Sequence, residues 1–127
     1  MGFRDYIKKI EENGLLRTID IEVSKKLEIS GILKAIEPTQ VMFNNVKESD
    51  FRVIGNMFCS KNVIASYFGV TPADLIPMLS KAITQRSKPE VVTNAPCQEV
   101  IESNVDLDKI PILFHCDKMG ETILVQL

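Results

Sequence analysis

Leu15-Leu16-Arg17-Thr18-Ile19-Asp20-Ile21-Glu22-Val23 is the stretch on which the fold turns. Leu15, Ile19, Ile21 and Val23 fall to one side, and Thr18, Asp20 and Glu22 to the other. That period of two is a strand with one buried face. Arg17 lies on the apolar side, which places it at a sheet margin with its aliphatic stem packed. The next segment changes period. Ser24 is the expected cap of a helix whose apolar stripe is Ile29, Ile32, Leu33 and Ile36. Glu37-Pro38 ends it, because the residue before a proline avoids helical backbone. Residues 41–46 are extended again, and strand, helix, strand in that order predicts a right-handed parallel crossover. A polar connection of four residues, Lys47-Glu48-Ser49-Asp50, then leads to a third strand at 51–55, paired with the second as a hairpin.

Working outward, residues 3–13 read as an amphipathic helix with Phe3, Ile7 and Ile10 on one face. Asn13-Gly14 supplies a left-handed stop, over which Leu15 closes. Ser60 caps a short helix with Val63, Ile64, Tyr67 and Phe68 on its apolar side, and Gly69 ends it. Thr71-Pro72-Ala73-Asp74 starts another, with a cap hydroxyl, a proline and an acid in place. In that helix Leu75, Ile76, Leu79, Ala82 and Ile83 are expected to face the core, and Pro77 should kink it or shift its start. Ser87-Lys88-Pro89 is the best internal boundary. Beyond it, 91–92, 99–102 and 110–114 are short extended pieces parted by Asn, Asp and Pro. The expected fold is therefore α+β, with α/β-like character. It has a small mixed sheet with helices packed on it, one βαβ unit plus a hairpin, over residues 3–87. An extended C-terminal arm follows over residues 88–127.

Composition limits the function classes. A chain of 127 residues, 45% apolar and 25% charged, suits one ordinary globular domain. Its net charge of −2 and scattered cations give no basic stripe for nucleic acid. The densest basic stretch, Lys81, Arg86 and Lys88, reads as a solvated helix end. No segment approaches a membrane span, and the N-terminus lacks the apolar core of a signal peptide. Cys59, Cys97 and Cys116 form no C-x-x-C pair, which fits a reducing cytoplasm.

His115-Cys116-Asp117 has metal-capable side chains, but neighbours in a strand point to opposite faces and do not converge on one ion. Cys97 has no local cation or helix start to activate a thiol and reads as a small apolar filler, and Cys59, which follows the apolar pair Met57-Phe58, reads the same way. Gly55-Asn56 and Gly69 form no phosphate cradle. Glu102, Asp106 and Asp108 match no calcium loop; Asp106 or Asp108 instead tethers a turn by accepting backbone N–H groups. Asp20, Glu22 and Glu28 are expected to be solvated, and ordinary surface carboxylates are poor catalysts near neutral pH. The residues thus predict no catalytic, cofactor-binding or metal-binding position in this chain.

The motifs taken in order carry more than any one alone. Phe3-Arg4-Asp5-Tyr6, Glu12-Asn13-Gly14-Leu15-Leu16-Arg17, Glu22-Val23, Leu27-Glu28-Ile29, Phe43-Asn44-Asn45-Val46-Lys47, Gly55-Asn56-Met57-Phe58, Ala95-Pro96-Cys97-Gln98-Glu99, Val105-Asp106-Leu107 and Ile110-Pro111-Ile112 resemble the N-terminal region of the UbiD family of reversible decarboxylases. Three departures stand out. The family usually has an acid where Asn44 stands and a glycine near Glu48, and the match fades after Lys118. The resemblance implies a parent enzyme built on prenylated FMN with a divalent metal and potassium. Its ligands, acid–base glutamate and partner arginine come from a central domain beyond the matched region.

The chain is then expected to be a non-catalytic N-terminal domain or subunit that packs against the prenylated-FMN domain in cis or in trans. The alternatives are a degenerate stand-alone relative acting as a binding or oligomerisation module, and a small enzyme in its own right. Apolar residues of the arm, including Val91, Val92, Val100, Ile101 and the run Ile123-Leu124-Val125, predict folding back on the body or self-association.

Overall fold

The computed structural model describes residues 2–117, and the run Ile123-Leu124-Val125 of the expected arm lies outside the described residues. Helix α1 spans Phe3–Glu12, strand β1 Leu16–Ile19, helix α2 Glu28–Ala35, strand β2 Gln40–Phe43 and strand β3 Val53–Gly55. Helices α3, Lys61–Phe68, and α4, Leu75–Thr84, follow, then 3-10 turns at Pro96–Gln98 and Leu107–Lys109. The sheet order is β1-β2-β3, with β1 parallel and β3 antiparallel to β2. This is the expected α+β arrangement of one βαβ unit and a hairpin.

The sheet has helices on both faces, and this corrects the reading of a strand with one buried face. On one side α2 covers a core of Val23, Ile29, Val41, Phe43 and Val46, joined by Ile19, Val53 and Leu113. On the other, Tyr6, Ile10 and Met57 pack with Leu16, Ile54 and Tyr67. Alternate residues of β2 therefore serve different cores. Val41 and Phe43 face α2, whereas Gln40 donates toward the Tyr6 hydroxyl on the α1 side. Full burial of side chains such as Phe43 and Tyr6 stabilises the fold by about 1.5–3 kcal/mol each.

Several boundaries differ from the expectation. Strand β1 stops at Ile19, and pairing with the second strand resumes only as a bridge between Val23 and Val46. Ile21 lies beyond the strand and is exposed; Leu15, just before it, is exposed too, and Leu16 is packed instead. In α1 the buried aromatic is Tyr6, and Phe3 is largely solvated. Arg17 does lie on an edge strand, but it is exposed rather than packed. The hairpin connection runs from Asn44 to Arg52, longer than four residues, and carries its own small bridge between Val46 and Ser49.

Ser24 does not cap α2. The cap is Leu27, held in the left-handed region at φ 66°. The Ser24 hydroxyl is committed to Glu48, and its amide to the carboxylate of Glu28 (2.7 Å), so the chain makes an extra turn before the helix starts. Other signals hold as read. Gly14 and Gly69 take positive φ at helix ends, and the Ser60 hydroxyl accepts the Val63 amide. Pro77 sits in the first turn of α4, having shifted its start to Leu75.

Candidate docking surface

Helix α4 packs beside α3 and buries Leu75, but much of the stripe expected to face the core is uncovered. Ile76 is 65% and Ile83 67% exposed, and Leu79 is also open. Val91, Val92, Val100, Ile101 and Val105 of the arm are exposed as well. Single exposed apolar residues are ordinary, whereas a helix stripe continued by such a run is the mark of a surface that binds another.

The arm is not free along its whole length. Its amides and carbonyls at 108–114 lie against the turn before α2. Phe114 bridges Lys26 as a short parallel pair: its amide donates to the Lys25 carbonyl (3.0 Å), and its carbonyl accepts the Leu27 amide (3.2 Å) and the Ser30 hydroxyl (2.8 Å). Lys25, buried at 8% exposure, points its ammonium at the carbonyls of Asp108 (2.9 Å) and Ile110 (3.5 Å). The Ser49 hydroxyl donates to the Lys109 carbonyl. Leu113 adds an apolar contact to the α2-side core.

Glu48 holds this turn in place. Its carboxylate accepts the Ser24 hydroxyl through one oxygen and the Lys25 amide (2.9 Å) through the other. Burial pushes its pKa up, but the hydrogen bonds from Ser24, Lys25 and its own amide, with the Lys25 charge, outweigh that and hold it below 4.5. Elsewhere the Lys34 pKa is raised by its hydrogen bond to Glu37, a solvent-exposed pair of little consequence for stability.

The residues singled out from the sequence do not converge. Asp20 accepts the Asn44 side-chain amide (2.7 Å), the Glu28 carboxylate accepts the Ser24 backbone amide, and Glu22 is solvated. Asp106 accepts the Asp108 amide (3.1 Å), tethering a turn as expected. His115, Cys116 and Asp117 are exposed. Cys97 is exposed too, which corrects its reading as an apolar filler: it rides a 3-10 turn on the solvated arm. Cys59 is half-buried and donates its S–H to the Pro38 carbonyl (3.0 Å).

Lys25 and Ser49 were missed, because a lysine beside another lysine and a serine in a polar loop both read as solvent-facing. Glu48 had one pointer, its place near a usual glycine. A shallow cleft of about 550 Å³ is lined by Lys9, Tyr67, Phe68 and Gly69, beside the edge-to-face rings of Tyr6, Phe58 and Tyr67. Its few polar groups give little to orient a substrate.

Residues 7–83 match the family model described as the 3-octaprenyl-4-hydroxybenzoate carboxy-lyase N-terminal domain. The chain is 39% identical over 120 residues to anhydromevalonate phosphate decarboxylase of Methanosarcina mazei. That match covers 94% of this chain but spans only 28% of the length of the relative. Among solved structures, an evolved dimeric form of the UbiD-class enzyme HmfF from Pelotomaculum thermopropionicum, in complex with prFMN, superposes with a TM-score of 0.78. It is 24% identical, with 89% of this chain and 28% of that one covered, and shows likeness of fold. The apo 3,4-dihydroxybenzoic acid decarboxylase of Enterobacter cloacae gives a TM-score of 0.74 at 26% identity, covering 88% of this chain and 27% of that one.

Proposed function

The chain belongs to the UbiD family through that N-terminal domain, and from this membership we propose that it is a non-catalytic packing module of a UbiD-like non-oxidative decarboxylase. Its partner is a prenylated-FMN domain, in cis or in trans, and its work is to present a shaped surface to that domain. The observation that carries this reading is the uncovered α4 stripe of Ile76, Leu79 and Ile83, which belongs to neither of the two cores of the body. Apolar surface of this kind gains free energy when a partner removes it from water.

The chemistry of the side chains supports the same division of labour. A flavin phosphate calls for a backbone or cationic cradle, and its divalent metal for converging oxygen or nitrogen ligands. The described residues do not fit either group. Among them no cluster of three or more His, Cys, Asp or Glu is placed to hold an ion, and the cleft beside Tyr67 offers the single cation Lys9. Prenylated FMN, its divalent metal and potassium are therefore assigned to the partner domain, and no step of decarboxylation is assigned to this chain. A cytoplasmic location belongs to the same proposal, in line with three cysteines that are free thiols.

Co-expression tests it. The chain is produced with a UbiD-class decarboxylase from which the corresponding N-terminal region has been deleted, in cells able to make prenylated FMN. Co-elution of the two on size exclusion, with the flavin absorbance following the partner, is expected. Separate elution, or flavin carried by this chain alone, contradicts the proposal.

A further inference from the structure

We propose that residues 106–114 form a releasable strap, closed over the turn before α2 by the Lys25 ammonium and the Leu27 amide. Residues 87–105 are the slack that lets it open. This inference rests on the contacts of this chain and not on the decarboxylase reading.

Three observations carry it. First, the strap is held chiefly by polar groups. Lys25 reaches the carbonyls of Asp108 and Ile110, Ser49 that of Lys109, and Ser30 that of Phe114, while Phe114 and Lys25 share a backbone bond. Water can take over each of these bonds when the strap lifts. The apolar side chains Ile112, Leu113 and Phe114 are only half-buried. A segment with few buried apolar contacts opens more readily than the core beneath it.

Second, the segment leading to the strap is not tied down. Among the described residues, the hydrogen bonds of 87–105 stay within that segment, as in Gln98 to Ala95 and Glu99 to Pro96, and nearly all of its side chains are exposed. The strap can therefore leave without unravelling α4.

Third, the closed state holds a leucine in a conformation that L side chains avoid. Leu27 sits at φ 66°, with its amide on the Phe114 carbonyl and its own carbonyl on the Gly31 amide. Lifting the strap removes one of the two bonds that fix that conformation, so part of the cost of opening is offset by relief at Leu27. Glu48 is a positioning residue here, since it fixes Ser24 and the Lys25 backbone from which the ammonium is aimed.

Amide hydrogen exchange read by mass spectrometry on the whole chain tests the strap. In the wild type the Phe114 and Leu27 amides are expected to exchange at least tenfold faster than the amides of β2, since they need only the strap to open. Lys25→Met keeps the stem and removes the ammonium. It should speed exchange at both strap amides by about tenfold, with β2 unchanged. Ser49→Ala, a milder lesion that leaves the buried turn intact, should act the same way by about fivefold. The proposal is overturned if the strap amides exchange at the β2 rate in the wild type. It is equally overturned if the Ser49 variant changes neither set, or both alike.

Discussion

Replacement of Asn56 by alanine should cost about 3 kcal/mol, and the structure says where the loss arises. The Asn56 side-chain amide donates to the Leu33 carbonyl (2.9 Å), in the last turn of α2, and to the Thr39 carbonyl (3.1 Å), at the entry to β2. Carbonyls at a helix end lack intrahelical partners, so each lost bond costs on the order of 1 kcal/mol. Asn56 also stands at φ 57°, where alanine is worse than asparagine by roughly 1 kcal/mol. The three losses together should lower the urea midpoint by about 2 M for a chain of this size. The assay is equilibrium unfolding followed by far-ultraviolet circular dichroism, because the chain has no tryptophan. Asn56→Gly separates the causes. It forfeits both hydrogen bonds but tolerates the backbone, so it should be less damaging than alanine by about 1 kcal/mol. A glycine variant as unstable as the alanine variant, or an alanine variant within about 0.5 kcal/mol of wild type, refutes this reasoning.

Three shorter expectations stand beside it. Gly55→Ala drives a Cβ into a Leu33 methyl and forces that side chain to move, so thermal denaturation should show a loss of about 1–3 kcal/mol. Ile83→Lys, on the exposed α4 stripe, should leave stability within about 0.5 kcal/mol of wild type yet abolish co-elution with the flavin domain; undiminished co-elution would remove α4 from the interface. Glu48 has its folded pKa below its unfolded value, so its contribution is complete above the unfolded pKa and is lost as pH falls through the folded one. Urea titrations from about pH 5 to about pH 3 should therefore decline more steeply for wild type than for Glu48→Gln, and parallel curves would show that the carboxylate contributes nothing.

The elements that local chemistry dictates were legible in the sequence. Ser60 and Gly69 bracket α3 because a cap hydroxyl and a left-handed glycine act within a turn of themselves. The crossover of β1, α2 and β2 follows from a change of period that needs no partner to be seen. What failed depended on contacts distant in sequence. Ser24 looks like a cap until Glu48, on another loop, takes its hydroxyl. The strand with one buried face fails because α1 closes over the second face of the sheet and takes up Leu16. The α4 stripe is legible as apolar, but local sequence does not say what covers it, and Ile76 and Ile83 stand in solvent. Lys25 gave no signal, because the carbonyls that receive its ammonium come from the arm, more than eighty residues further along.

That lysine also offers a stopwatch. An amine shut beneath the arm meets an acylating reagent only while the cover is off, whereas Lys8 and Lys34 meet it continuously. The lag of Lys25 acetylation behind those two, followed peptide by peptide, reports how often the cover lifts. A neighbouring domain that clamps the arm would register as a longer lag.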